Sequence, residues 1–148
     1  MVSRKLRVFL DTSALIAGIL SSKGAAREVL RLGEAEVIEI VVSRQVLIEA
    51  DRVLQEKFQD LLDSYHAFLK SLDPVVVDDP PHDMIQKVLG WIDSADAPIL
   101  AAAIQAKVDY LISWNTRHFM KKSVVENTPF PVLVPAGFLE EFRKLVST

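Results

Sequence analysis

Apolar runs and apolar stripes alternate along this chain. Residues 5–10 have strand character and stop at a carboxylate, Asp11. Residues 14–20 and 25–32 then carry helical spacing, broken around residues 21–24. Residues 37–42 are β-branched and read as a buried second strand. Ser43 caps a helix over about residues 45–57, with Val46, Leu47, Ala50, Val53 and Leu54 on one face. A further helix covers about residues 60–72, and the strand at 74–77 is placed at an edge, where proline is tolerated. Residues 84–91 read as helix, and 99–107 as an Ala-rich helix opened by residues 94–98. Residues 108–113 and 132–134 are the remaining strands. The last helix bears Phe138, Leu139, Phe142, Leu145 and Val146 on one side. Strands that alternate with helices predict a parallel sheet covered on both faces.

Composition narrows this picture. With 148 residues the chain is the size of one domain, 1–148, and has no repeat or linker. The Pro-rich stretch at 78–82 is a loop within it. Half the residues are hydrophobic and the mean hydropathy is +0.24, an apolar excess that suits contact with a partner or a second copy. No apolar run approaches the roughly 18 residues of a membrane span, so no membrane is expected. The start, Met1-Val2-Ser3-Arg4-Lys5, is basic, but Asp11 cuts the next apolar run short, which makes a poor signal peptide. The absence of cysteine excludes disulfides, thiol catalysis and Cys-based zinc sites, and suits a cytoplasmic protein. The net charge of −3 gives no basic field of the kind that marks nucleic-acid binding. Contact with RNA would rest on local patches, Arg117 with Lys121 and Lys122, or Arg4 and Lys5 with Arg7. For any single patch, solvated surface charge is the simpler account.

In a parallel sheet of this kind, strand ends and the starts of the crossover helices share one edge. Four polar positions fall there. Asp11 ends the first strand, Glu49 lies in the first two turns of the helix after the second, Asp96 lies in the first turn of the Ala-rich helix, and Asn115 follows the strand 108–113. Glu49 is three residues after Val46 and four before Val53, so its carboxylate borders the buried face, where an acid is costly unless paired. Each residue alone has a plain structural reading. Asp11 or Thr12 caps a helix, Asp96 suits a helix N-terminus, Asn115-Thr116 makes a turn and cap, and Glu49 is an edge acid. Together, three carboxylates at one edge repel unless a cation sits among them, and oxygen-only ligands select Mg²⁺ or Mn²⁺ over zinc.

Three segments, LDTSALIAGIL, VVSRQVLIEADRVL and DSADAPILAAAIQAKVDYLISWNTRHF, resemble the PIN-domain family in order and spacing over nearly the whole chain. The resemblance is closest to the VapC-like toxin components of toxin–antitoxin systems. It implies a three-layer α/β/α fold with a central, mainly parallel sheet of about five strands. It also implies a Mg²⁺- or Mn²⁺-dependent endoribonuclease that leaves a 5′-phosphate and a 3′-hydroxyl, with RNA as substrate. A protein antitoxin and a homodimer are the implied partners. By the resemblance Asp11, Glu49 and Asp96 match the family's three acids and metal ligands, Thr12 or Ser13 the small hydroxyl beside the first, and Asp93 an accessory acid. The chain departs from the family at Asn115, where an acid is common and no Asp follows at Arg117. An Asn carbonyl still ligates a hard cation but brings no charge, so any second metal site is weaker. Asn115 is counted with the catalytic residues, and Thr116 and His118 with the accessory ones. Next to Phe119, His118 reads better as a ring packed at a turn than as a phosphate contact or proton shuttle. Arg117, Lys121 and Lys122 are the RNA-binding candidates.

Rival readings stay open at this stage. A PIN domain weakened or inactivated by Asn115 would bind RNA or protein without cutting. A receiver-like signalling domain also gathers acids at a sheet edge, and Asp78-Asp79 supplies an acceptor, although the lysine such a domain needs is missing. A purely structural module would use the apolar excess for assembly.

Overall fold

The β-branched and aromatic runs form five short strands, β1 (Arg7–Leu10), β2 (Glu39–Ser43), β3 (Val75–Val77), β4 (Tyr110–Ile112) and β5 (Val132–Leu133). The computed structural model describes residues 4–147; Met1–Ser3 of the basic N-terminal stretch lie outside them. All strand pairs are parallel, in the order β3-β2-β1-β4-β5. β1 is central and buried from Val8 to Leu10, as a strand covered on both faces must be.

The crossovers carry α1 (Thr12–Leu20), α2 (Ala25–Glu34), α3 (Arg44–Lys57), α4 (Leu62–Leu72), α5 (His82–Val88), α6 (Ala97–Gln105), α7 (Thr116–Phe119) and α8 (Lys122–Asn127), and α9 (Pro135–Val146) ends the chain. A 3₁₀ turn, Gln59–Leu61, precedes α4. α1 packs on α2 and α3, and α2 packs on α4 and α9. α5 packs on α6, which crosses β2. Three layers result, as the resemblance implies. Gly33 of α2 allows close approach to the sheet, because a Cβ there would stand 2.5 Å from Ile40 Cγ1.

The expected elements are present, with shorter strands. The second strand starts at Glu39 rather than at residue 37, because Glu36 adopts φ 61° as α2 ends and Val37 is exposed. The apolar side of α9 is buried only at Phe138, with Leu139 and Phe142 packed against the core; Leu145 and Val146 are exposed. The helices α7 and α8 occupy a stretch without a sequence assignment. Among the described residues no helix is long and apolar enough to cross a membrane.

Topology removes the receiver-like reading. That fold places its third strand beside the first, whereas here β3 is an edge strand and β1 pairs with β2 and β4. Asp78 and Asp79 therefore lie beyond the sheet edge, beside Ala102 and Gln105, away from Asp11.

Candidate functional site

The chain leaves β1 toward β2 and later returns past β1 to β4, so connections diverge between β1 and β4. Such a point opens a crevice at the carboxyl ends of the strands. Leu10 pairs with Ile112, and Asp11 N–H donates to the Ile112 carbonyl at 3.2 Å. Asp11 and Ser113 thus face each other across this crevice.

Asp11 is both a cap and a site acid. At the N-cap of α1 its Oδ1 accepts from Ala14 N–H at 2.9 Å and from Ser13 Oγ at 2.8 Å. Its Oδ2 accepts a short hydrogen bond from Ser113 Oγ. The side chain is buried, and burial pushes its carboxyl above the usual range; the three hydrogen bonds oppose that shift and the Glu49 charge adds to it.

Glu49 is half-buried in the second turn of α3, after the Ser43 cap. Its Oε1 accepts from Thr12 Oγ1 and its Oε2 from Gln45 Nε2, each at 3.1 Å. Asp96 is the N-cap of α6, one position before the expected first turn. Its backbone is helical (φ −96°, ψ −13°), so its side chain does not cap and is left to face His118. His118 Nδ1 lies 2.7 Å from Asp96 Oδ2, 3.1 Å from Asn115 Nδ2 and 3.8 Å from Asp93 Oδ1. Burial and a proton shared with Asp93 push Asp96 up to about 6, against the pull of His118. The other side of that sharing holds Asp93 below the carboxylate range.

His118 is therefore not packed away beside Phe119. The single turn of α7 turns Phe119 into the core and leaves His118 facing the acids, one turn from Asn115. Atoms of Asp93, Asp96 and His118 lie within 4.8 Å of one another, close enough to share a cation.

Asp11, Thr12, Ser13, Glu49, Asp96 and Asn115 line one cavity of about 580 Å³. Its other wall is apolar, formed by Ile16, Ala17, Leu20, Val53, Ile99 and Phe119, with Trp114 at the rim. The four distant positions thus line one cavity, while the close cluster of possible ligand atoms among the described residues is that of Asp96 with Asp93 and His118. Thr116, Arg117, Lys121 and Lys122 are exposed and line no part of this cavity. Lys122 pairs with Glu126 at 3.8 Å. The Arg4–Arg7 patch lies at the opposite end of the sheet, where Arg4 forks onto Asp109 and Arg7 faces Glu39 at 3.6 Å. Sequence reasoning missed Ser113, Gln45 and Trp114. Ser113 follows β4 as Asp11 follows β1, but a serine at that position gave no signal of its own.

A family model described as PIN domain matches residues 7–117. No curated protein matches the sequence. Among solved structures, PAE2754 from Pyrobaculum aerophilum is 18% identical with a TM-score of 0.61, covering 91% of this chain and 88% of that one. VapBC2 from Rickettsia felis, bound to a DNA fragment from its promoter, is 18% identical with a TM-score of 0.62, over 86% and 97%. VapC20 from Mycobacterium tuberculosis, a toxin that cleaves the sarcin-ricin loop, is 14% identical with a TM-score of 0.56, over 82% and 95%. At these identities the likeness is one of fold.

Proposed function

The chain belongs to the PIN domain family, and from that premise we propose that it is a metal-dependent ribonuclease, the toxin of a toxin–antitoxin pair. The observation that carries this reading is the single cavity that Asp11, Glu49, Asp96 and Asn115 line at the carboxyl edge of the sheet. The donor set fits a hard divalent cation, since all four residues offer oxygen and Asp11 is a buried acid whose ionised form a cation would stabilise. Mg²⁺ or Mn²⁺ would be held by Asp11 and Asp96, with Glu49 direct or through water. When bound, such an ion supplies Lewis acidity toward a phosphodiester oxygen and acidifies water.

The chain's own residues prepare the site. Ser13, Ser113 and the Ala14 N–H orient the Asp11 carboxylate. Thr12 and Gln45 hold both oxygens of Glu49. His118 Nδ1 aims Asp96. This ordering removes the reorganisation that loose carboxylates would need. Asp93 stands behind Asp96 as an accessory acid, and Arg117, Lys121 and Lys122 lie on the following turn as cations for the RNA backbone. A protein antitoxin and a second copy of the chain are the partners proposed. Likeness in fold to VapBC2, which is a complex, and to FitAcB from Neisseria gonorrhoeae supports the first.

Purified protein with Mn²⁺ should cut RNA, and Asp11→Asn should abolish cutting while leaving the circular dichroism spectrum unchanged. Cutting that survives in the variant would remove Asp11 from the mechanism or expose a contaminating nuclease. Calorimetry with Mn²⁺ tests the weaker alternative suggested by Asn115: no binding at millimolar metal would make this a non-cutting, RNA- or protein-binding PIN domain.

A further inference from the structure

We infer that the apolar half of the cavity, with Trp114 at its rim, is a stacking subsite for one unpaired base of the RNA strand, adjoining the phosphate at the acids. The inference rests on the ribonuclease reading above. The cavity is larger than a phosphate and cation require and lies within the size range of small-molecule sites. Its acidic wall suits a metal-bridged phosphate. Its apolar wall, including Ile16, Leu20, Val53 and Phe119, suits the flat face of a nucleobase, the group a nucleic acid carries beside each phosphate.

Trp114 supports this placement independently. It is 49% exposed, although an indole is among the side chains that gain most from burial. Among the described residues no ring stacks on it and no cation lies over it. Yet its backbone is pinned. Trp114 N–H donates to Ser13 Oγ at 3.0 Å, and Asn115 N–H donates to Ser113 Oγ at 2.8 Å. Both hydroxyls also bond Asp11. The hydrogen bonds that orient the first acid therefore also fix where the indole stands. A nucleotide spanning acid and indole would meet both in one fixed arrangement. A base must offer a free face to stack there, so paired and unpaired RNA should differ at this subsite.

The test uses Trp114→Ala and Trp114→Phe in cutting assays, together with indole fluorescence in a Trp91→Phe background, which leaves Trp114 as the sole emitter. The probes are an unstructured RNA of mixed sequence, the same strand in a duplex, and the strand with abasic positions. Trp114→Ala should raise KM by about 5- to 150-fold with kcat within a few-fold, and Trp114→Phe should recover most of the loss. The unpaired strand should quench emission, and the duplex and abasic strands should not. An unchanged KM in Trp114→Ala, or equal quenching by abasic RNA, would overturn the subsite. Cutting without quenching sinks this inference alone and leaves the rim to a protein partner. Quenching without cutting sustains it and sinks the nuclease reading.

Discussion

Asp11 caps α1 with Oδ1, and its Oδ2, which accepts from Ser113, is the oxygen the proposed cation would use. Its neighbour in the cavity sets the pH response. Asp96 is raised to about 6, so below that value a proton competes for the oxygen a cation needs. Mn²⁺ affinity by calorimetry should therefore fall as pH drops from about 7 to about 5, and the Asp96→Asn variant should lose most of that dependence along with affinity. The same shift has the opposite sign for the metal-free fold. A carboxyl whose folded pKa lies above its ordinary value favours folding when protonated, so stability falls as pH rises toward and through about 6. In chelator at neutral pH, Asp96→Asn should be more stable than the parent, on the order of 1 kcal/mol after allowance for partial exposure, measured as a shift in urea midpoint. Asp11, Asp96 and Asn115 were legible because each precedes a helix at one sheet edge, and Glu49 because it lies in the first two turns of α3. Ser113 was not, because a serine at a strand end looks like any turn residue. The aim of His118 was not, because it depends on a helix of one turn.

At the scale of elements, the lost detail lies at the joints. Glu36, Asp73 and Lys107 adopt left-handed φ values of 61°, 48° and 55°, each between a helix and the strand that follows. Glycine is the usual signal for that conformation, and none stands at these joints, so the boundaries of β2 and β4 could not be read. A long side chain in that region is strained relative to glycine. Lys107→Gly should raise stability by up to about 1 kcal/mol, seen as a higher urea midpoint with unchanged slope. A loss of stability would mean that the lysine stem contributes packing that outweighs its backbone cost. Four- and six-residue helices such as α7 and α8 carry too little periodicity to register at all.

For the whole molecule, charge and topology were the legible properties. A net charge of −3 leaves little long-range attraction for RNA, so on the proposed reading binding would depend on a few local cations and on the base subsite. If Arg117, Lys121 and Lys122 meet one phosphate each, log affinity of Asp11→Asn for single-stranded RNA should fall with log salt at a slope of about −2. A slope steeper than about −4 would require a longer cationic track than these residues provide.

The pairing of β1 with β4 also sets when the crevice at Asp11 can form. Asp11 and the serine that orients it are 102 positions apart, and the strand that serine follows, β4, sits beside the central β1, between it and β5. Contacts of such separation form late, after the loops between them have closed. While the chain is still emerging from the ribosome, Asp11 has its helix cap but no crevice, no Asn115 and no rim. A chain halted before β4 already carries all three carboxylates, Asp11, Glu49 and Asp96, but lacks the crevice that brings Asn115 to join them.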